Sequence, residues 1–458
     1  MSGAAWTDRP GRGVGAGLMG LAGLAGLGGP AVAALGLALA AALALAAAPL
    51  WGALALVFMA QTDGLTGHLD RVLPLSAFKL LSAATLALAL LGLSRNPLAQ
   101  GRPRPAIPFA ATGLFAGWLV VAHLLGPGGA TGDDHLEGFL TTLLMVPILG
   151  LLIRRPGELR LAIGALVASG AVSALCVLLE TTTGLRLAIA DPTDIAAWGG
   201  QVRPAGASAY NPTTASHLVL VSLLAGAGMG VGDRPLRWVW WGMAGLCLAG
   251  LPMMGARSAI VGLAAGGLVA LWQMRRHRAF PVVVAALVAG AVLALPLLPD
   301  SLTERFAVLG DLFDGGNTAD RTLLRRLSYN LIGLDLWARN PVAGIGPGLF
   351  PESYAGPDFR WYPGREAEPR QLHNTFLEVA VETGTVGLAL FLAATIGACR
   401  MALRVPAHGP EGTMARALGT AFAAFLVASL FMPNEDIKHT WILVALCARA
   451  GRLAEARP

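Results

Sequence analysis

Long uncharged apolar runs recur along the chain and limit what it can fold into. The runs "PFAATGLFAGWLVVAHLLG", "LAIGALVASGAVSALCVLL" and "FPVVVAALVAGAVLALPLLP" each approach the length of about 20 residues that a helix needs to cross the hydrocarbon of a bilayer. Of the 458 residues 13% are charged, against about 25% in soluble domains. A single soluble core is therefore excluded, and the sequence predicts an all-α polytopic membrane protein.

The placement of the basic residues predicts the orientation. They concentrate in short connections, namely "RNPLAQGRPRP", "RRPGELR", "DRPLRW", "RRHR" and the end "RAGRLAEARP". The positive-inside rule assigns these connections and both termini to the cytoplasm, which requires an even number of spans. A length of roughly 20 residues per span gives about 12 transmembrane helices. The net charge of +6 follows from this bias and is no sign of nucleic-acid binding.

The other connections should then face outward, and one is much larger than the rest. It runs from about Pro299 to Glu382. The predicted organisation is an N-terminal transmembrane bundle (1–298), a large periplasmic loop with short helices (299–383) and C-terminal transmembrane helices (384–458). Leucines at helical intervals in "TADRTLLRRLSYNLIGLDLW" predict an amphipathic helix in this loop, "RNPVAGIGPG" ends it, and "PESYAGPDFRWYPGREAEPR" is expected to be irregular. The chain is expected to enter the next helix near His373.

Neither the cysteines nor the acidic residues predict a metal site. The cysteines fall in predicted spans without CxxC spacing, so neither a disulfide framework nor a zinc site is indicated. The acidic cluster in "GPGGATGDDHLEG", which contains Asp133, Asp134, His135 and Glu137, is interpreted as a solvated outer loop in preference to a cation site. We therefore expect no metal and no cofactor.

A group of polar side chains precedes the apolar run that starts near Gly384. His373 would sit in the first turn of a helix, with Asn374 and Glu378 on one face. A neutral imidazole can accept a proton from a hydroxyl near pH 7, which is the role of a general base. The alternative is a capping or satisfied histidine at the membrane–water interface.

Two arginines stand at predicted outer connections with few other charges. They are Arg203 in "GQVRPAGASAYNPTTASHL" and Arg257 in "PMMGARSAIVGL". A guanidinium between apolar spans is costly unless it is paired, and its fork matches phosphate oxygens. The alternative is an arginine that extends to the lipid headgroups. Arg321 and Arg325 lie four residues apart on one helix face, and a solvated amphipathic face is the preferred interpretation of these arginines.

Four motifs in a fixed order resemble one known family. "RPAGASAYNPTTAS", "GARSAIVGL", "NPVAGIGPGLF" and "LHNTFLEVAVETGTVGLALFL" together resemble the O-antigen ligase and polymerase family of bacterial inner-membrane glycosyltransferases, over roughly Gly200 to Leu392. The resemblance implies a GT-C-like fold and a glycan donor carried on undecaprenyl pyrophosphate. It also implies a site on the periplasmic side that needs neither a nucleotide sugar nor a metal.

The resemblance also implies roles for individual residues. His373 would be the essential histidine, acting as a base or orienting the acceptor hydroxyl, and Arg203 and Arg257 would grip the pyrophosphate. The supporting residues would be Asn374, Glu378, Asn211 and Arg321. The family usually has a second asparagine where this chain has "NPTT".

The acceptor is left open by the sequence. An O-antigen ligase transfers the glycan to lipid A–core, a polymerase to another lipid-linked repeat unit, and a protein O-glycosylating relative to Ser or Thr. One large outer loop near the C-terminus favours the ligase. A secondary transporter such as a lipid-linked oligosaccharide flippase is the alternative from another class, but the predicted spans are almost free of mid-span charge and show no internal repeat. Sugar identity, oligomeric state and the number of spans in the first sixty residues also stay open.

Overall fold

Helices make up nearly all the regular structure of the protein. The computed structural model describes residues 45–71, 75–95, 106–189, 197–198, 201–278, 280–294, 321–362, 364–365, 367–406 and 409–455. The first half of the chain contains α1 (Leu50–Met59), α2 (Asp63–Asp70), α3 (Ala77–Arg95), α4 (Ile107–Leu125), α5 (Ala130–Leu143), α6 (Met145–Leu152) and α7 (Pro156–Thr183). A short antiparallel ladder of β1 (Ala197–Trp198) and β2 (Gln201–Val202) follows.

The second half continues as helices. They are α8 (Pro212–Gly232), α9 (Arg237–Met253), α10 (Arg257–Met274), α11 (Phe280–Ala294), α12 (Arg321–Arg339), α13 (Phe350–Ala355), α14 (Thr375–Arg404), α15 (Gly409–Ala428) and α16 (Lys438–Glu455), with 3₁₀ turns at Arg234–Leu236 and Pro357–Phe359. The predicted all-α class is confirmed. The predicted amphipathic helix corresponds to α12, whereas "FPESYA" is a helical turn where irregular chain was expected.

Six helical segments are long and apolar enough to cross a membrane. They are Ile107–Leu125, Ala130–Leu152, Pro156–Thr183, Pro212–Gly232, Arg257–Met274 and Thr375–Arg404, and two shorter apolar helices are Leu50–Met59 and Ala77–Gly92. The chain is thus a multi-pass helical membrane protein. The count of about 12 spans stays a prediction, since predicted spans in residues 1–44 lie outside the described part of the chain.

The acidic segment before α6 is a helix and not a loop. Ala130–Leu143 is helical, and two of its carboxylates have partners on neighbouring helices. Asp133 Oδ1 lies 2.9 Å from His123 Nε2, and Glu137 Oε1 lies 2.6 Å from Lys79 Nζ. The expectation of a loop was therefore wrong, because Phe139 and Leu143 of this segment are buried in the core as parts of a helix, while Asp133 and Glu137 stay exposed.

An aromatic cluster joins the C-terminal helix to the first half of the chain. The ring of Trp441 on α16 lies 5.7 Å from that of Phe115 on α4, 6.2 Å from Phe139 on α5 and 5.9 Å from Phe391 on α14. Offset and edge-to-face pairs at such distances add to the burial of large rings. The last helices therefore pack into the same core as the first ones. The proposed division into 1–298, 299–383 and 384–458 stays a prediction, and its second boundary falls inside α14.

One end of the bundle collects arginines from connections that were predicted to be cytoplasmic. Arg160 near the start of α7 pairs with Asp233, just after α8, at 2.6 Å. At the C-terminal end, Arg449 lies within electrostatic range of Arg154 and Arg452. Thus "RRPGELR", "DRPLRW" and "RAGRLAEARP", which are distant in sequence, contribute to one arginine-rich end.

Helix α14 is broken at Gly384, where the chain adopts φ 68° and ψ −174°. A Cβ at this position would collide with the carbonyl oxygen of Val342, so the loop after α12 can approach only because the residue is glycine. The freed backbone groups are satisfied: Thr385 N–H donates to Pro341 O at 2.8 Å, and Trp118 Nε1–H donates to Thr383 O at 2.8 Å. The break thus fixes the glycine-rich loop against the segment that begins at Thr375.

Candidate active site

His373 occupies an unusual backbone conformation directly before α14. Its φ is 59°, and among the described residues no other non-glycine has a positive φ. Such a conformation is strained for a residue with a Cβ and persists only when its surroundings hold it. The next residue, Asn374, is the N-cap of α14 and accepts a hydrogen bond from Leu377 N–H at 3.3 Å. The histidine therefore belongs to the loop and not to the helix.

The imidazole of His373 is held neutral. Its pKa is lowered from 6.5 to about 4, mainly by burial and in addition by the charges of Arg326, Arg325 and Arg370. The Tyr329 ring packs edge-on at 5.3 Å, and Nδ1 is buried without a hydrogen-bond partner in the described part of the structure. A neutral ring with an unused nitrogen beside three cations can accept a hydrogen bond from an incoming hydroxyl.

Glu378 supports the loop that carries His373. Its carboxylate accepts a hydrogen bond from the backbone N–H of Leu372, the residue before His373. Its Oε2 atom is buried and, among the described residues, has no partner. It lies close to Glu435 in the connection between α15 and α16. Burial raises the pKa of Glu435 well above its usual range, and Asp436 and Glu382 raise it further.

The glycine-rich loop "GIGPG" is fixed to α14 through Glu382. The backbone carbonyl of Glu382 accepts a hydrogen bond from Gly346 N–H at 3.0 Å, and the Glu382 carboxylate accepts one from Phe350 N–H at 3.3 Å. Ile345 N–H donates to Val381 O at 2.9 Å. The N–H groups of this loop therefore bind protein groups, so the loop is a structural brace for α14 rather than an anion cradle.

The Arg203 guanidinium holds the turn between α9 and α10. Its Nε and Nη2 donate to the carbonyl oxygen of Met254 at 2.9 and 2.6 Å, and Thr213 Oγ1 lies 3.5 Å from Nη1. Arg257 is the first residue of α10, three positions after the gripped carbonyl. Arg203 thus fixes the segment from which Arg257 projects.

A chain of buried hydrogen bonds links this segment to the start of α14. Ser258 Oγ lies 2.7 Å from His217 Nε2, His217 Nδ1 lies 3.1 Å from Asn434 Nδ2, and Asn434 N–H donates to Thr375 Oγ1 at 2.8 Å. Because an amide NH₂ only donates, His217 accepts at Nδ1 and donates from Nε2 to the serine. Arg257 and His373 therefore flank the two ends of one polar chain.

The other predicted supporting residues sit at helix starts. Asn211 is the N-cap of α8 and accepts from the N–H groups of Thr213 and Thr214, both at 3.0 Å, so its visible role is capping. Arg321 begins α12, one turn before Arg325.

Sequence reasoning missed His217 and the segment Asn434–Asp436. His217 stands in the otherwise apolar run "SHLVLVSLL", where one histidine gives little signal. Nothing in the sequence of "MPNEDIKH" indicates its link to α14, because that link depends on tertiary contacts. No group of three or more His, Cys, Asp or Glu side chains in the described ranges is arranged to hold a metal ion.

Three of the four motifs that resemble the O-antigen ligase and polymerase family fall within a region matched by comparison with known proteins. Residues 242–392 match the model of the O-antigen ligase family. The match includes His373, Arg257 and Glu378, and it starts after Arg203 and Asn211. A search of curated proteins finds no match. Over residues 242–392 the chain is therefore similar to the O-antigen ligase family, in agreement with the resemblance of its motifs.

Proposed function

We propose that this protein is a lipid-dependent glycosyltransferase that moves a glycan from undecaprenyl pyrophosphate to an acceptor hydroxyl. The observation that carries the proposal is His373, a neutral imidazole in a strained loop beside three arginines. The family match over residues 242–392 supports an enzyme of the O-antigen ligase and polymerase type. A transporter would have no need of an interfacial base.

His373 receives the acceptor in this mechanism. With a pKa of about 4 it is unprotonated at neutral pH, so a ring nitrogen is free to accept a hydrogen bond from the attacking hydroxyl. A pKa this low makes it a weak base. Its main contribution is therefore to orient the hydroxyl and to accept its proton late, when the bond to the anomeric carbon is largely formed.

The arginines stabilise the leaving group. The bond from the anomeric carbon to the donor oxygen breaks, and the electron pair leaves with the pyrophosphate. Since this leaving group is weakly basic, positive charge serves better than a strong acid. Arg257 is assigned to the pyrophosphate, with Arg325, Arg326 and Arg370 adding charge around His373, and direct attack inverts the anomeric centre.

The arginine distribution supports a periplasmic site in the inner membrane. Positive charge accumulates on cytoplasmic connections, and the arginine-rich end described above contains Arg154, Arg160 and Arg452. The polyprenyl tail would then lie in lipid along the apolar helices, with its headgroup at the level of His373.

The acceptor assigned here is lipid A–core, which makes the protein an O-antigen ligase. A polymerase that extends lipid-linked repeat units is the alternative. Purified wild type and His373→Ala are incubated with an undecaprenyl-pyrophosphate-linked glycan and, separately, with lipid A–core or a second lipid-linked repeat unit. Transfer to lipid A–core that is lost in the variant supports a ligase, and a ladder built from repeat units supports a polymerase. Folded wild type that transfers to neither acceptor contradicts the enzyme.

A further inference from the structure

A cavity whose walls carry charged and hydroxyl groups among apolar side chains is used by none of the steps above. Its volume is about 500 Å³, within the range of about 300–1,000 Å³ typical of small-molecule sites. Its walls come from α2, α3, α5 and the connections that precede α8 and α16. Both lysines of the chain, Lys79 and Lys438, lie on these walls, while every other basic residue apart from histidine is arginine.

The lining is rich in hydrogen-bond acceptors. Three carboxylates, Asp63, Asp70 and Asp436, face the cavity together with the two lysines. Lys438 Nζ lies 3.4 Å from Asp63 and above the Phe78 ring at 4.5 Å, and Lys79 pairs with Glu137. The hydroxyl lining consists of Thr66, Ser76, Thr141, Thr142 and Tyr210.

This charge balance selects among ligand classes. With one more carboxylate than ammonium groups, the lining disfavours a pyrophosphate or another polyanion. Carboxylates and hydroxyl oxygens instead suit a ligand with many O–H donors, and the ammonium groups can donate to ether and hydroxyl oxygens. A polyhydroxylated, uncharged ligand fits this chemistry best.

The cavity shares two chain segments with the candidate active site. Asp436 is two residues from Asn434, whose N–H binds Thr375 at the start of α14. Tyr210 is next to the α8 cap Asn211. Asp63 fixes the second segment by accepting from Ala209 N–H at 2.9 Å and from the Ser208 hydroxyl at 3.2 Å.

We propose that this cavity is a saccharide-binding subsite that holds one or two sugar units of a substrate while its reacting end lies at His373. The inference rests on the proposed glycosyl transfer. The sugars come either from the donor glycan or from the acceptor oligosaccharide. The same lining chemistry serves both sources.

Two variants change the cavity without disturbing the fold. Gly138 lines it from α5, and a Cβ at this position meets nothing within 4 Å, so Gly138→Leu fills the space. The Asp436 side chain makes no hydrogen bond or ion pair with another described residue, so Asp436→Asn removes a charge without leaving a partner unpaired. Gly245→Leu, a helical glycine on α9 with equally open space, is the control for Gly138→Leu. Asp358→Asn, at an exposed position after α13, is the control for the charge.

The test is direct binding of two lipid-free probes to detergent-solubilised protein. One probe is the glycan released from the donor by mild acid, and the other is the delipidated core oligosaccharide. We expect one of them to bind saturably, with Kd raised about tenfold or more in Gly138→Leu and Asp436→Asn, which corresponds to the loss of one or two hydrogen bonds. The two controls should bind like wild type. The probe that binds identifies the source of the sugars.

Binding of neither probe, or binding that both cavity variants leave unchanged, overturns the subsite. The outcome is separate from that of the proposed function, since binding needs no transfer. Wild type that binds a probe but transfers no glycan keeps the subsite and contradicts the transferase. Wild type that transfers glycan normally, with probe binding unchanged in the cavity variants, supports the transferase and contradicts the subsite.

Discussion

Nε2 of His217 lies 2.7 Å from the hydroxyl oxygen of Ser258, and this contact joins the middle of the bundle to the residue after Arg257. Both side chains are buried. On its other edge His217 meets Asn434, which in turn binds the start of α14. A chain of hydrogen bonds therefore connects the residues next to Arg257 and His373, and its members need not contact a substrate.

Removing the serine should break this coupling. Ser258→Ala leaves a buried N–H of His217 without its partner, which costs about 1–3 kcal/mol in the free energy of unfolding. We expect a lower melting temperature and slower glycan transfer. The matched control is Ser216→Ala, since Ser216 is a buried serine on α8 whose hydroxyl donates to Thr213 O of the same helix at 2.6 Å. Equal melting temperatures for the two variants would contradict the coupling.

The stability of the protein should depend on pH through His373. Its pKa is about 4 in the folded chain and about 6.5 when unfolded, so between these values the unfolded state binds more protons. Stability contributed by the neutral ring is therefore complete above pH 6.5 and is lost as the pH falls toward 4, by about 2 kcal/mol between pH 7.5 and pH 5.

The comparison that isolates this effect is His373→Asn, which has no titrating ring. Melting curves of both proteins at pH 7.5 and pH 5 cancel the contributions of other groups, including Glu435. The melting temperature of wild type relative to that of His373→Asn should be lower at pH 5 than at pH 7.5. The same difference in melting temperature at both pH values would contradict a lowered pKa of His373 in the folded protein.

The break in α14 should tolerate no side chain at Gly384. Gly384→Ala forces a Cβ into the Val342 carbonyl at a positive φ. We therefore expect the free energy of unfolding to fall by at least about 2 kcal/mol and the glycine-rich loop to be displaced. Gly267→Ala on α10 meets nothing within 4 Å, and it should be neutral or stabilising by up to about 1 kcal/mol. Limited proteolysis within residues 340–350 measures the loop displacement, and wild-type resistance in Gly384→Ala would refute it.

Arg203→Lys distinguishes a structural from a ligand-gripping arginine. An ammonium cannot reproduce the two hydrogen bonds to the Met254 carbonyl, so the melting temperature should fall by the equivalent of about 1 kcal/mol. The KM for the lipid-linked donor should rise as a consequence, through displacement of Arg257. A raised donor KM at an unchanged melting temperature would instead assign Arg203 directly to the pyrophosphate.

Local patterns in the sequence predicted some parts of this structure well. Leucine periodicity found α12, and the "HNTF" motif placed the next helix start within two residues, because an N-cap asparagine is a local signal. The family was recognised from motifs that fall largely within the matched region.

The rest depends on contacts between distant segments. Nothing local in "TGDDHLEG" indicates that His123 and Lys79 will pair with its carboxylates, so the helix there was read as a loop. The left-handed conformation of His373 is likewise imposed by its surroundings. His217 was missed because its partners, Ser258 and Asn434, come from other parts of the chain.

Because lysine is rare in this chain, the cavity can be modified selectively through its amines. Apart from the N-terminus, the chain has two primary amines, and both line this cavity, Lys438 largely covered and Lys79 partly exposed. Apart from the N-terminal amine, amine-selective acylating reagents therefore modify one region of a 458-residue membrane protein without any engineered cysteine. A fluorophore or photocrosslinker attached to Lys79 would lie at the cavity, so ligand binding there can be followed in the native chain.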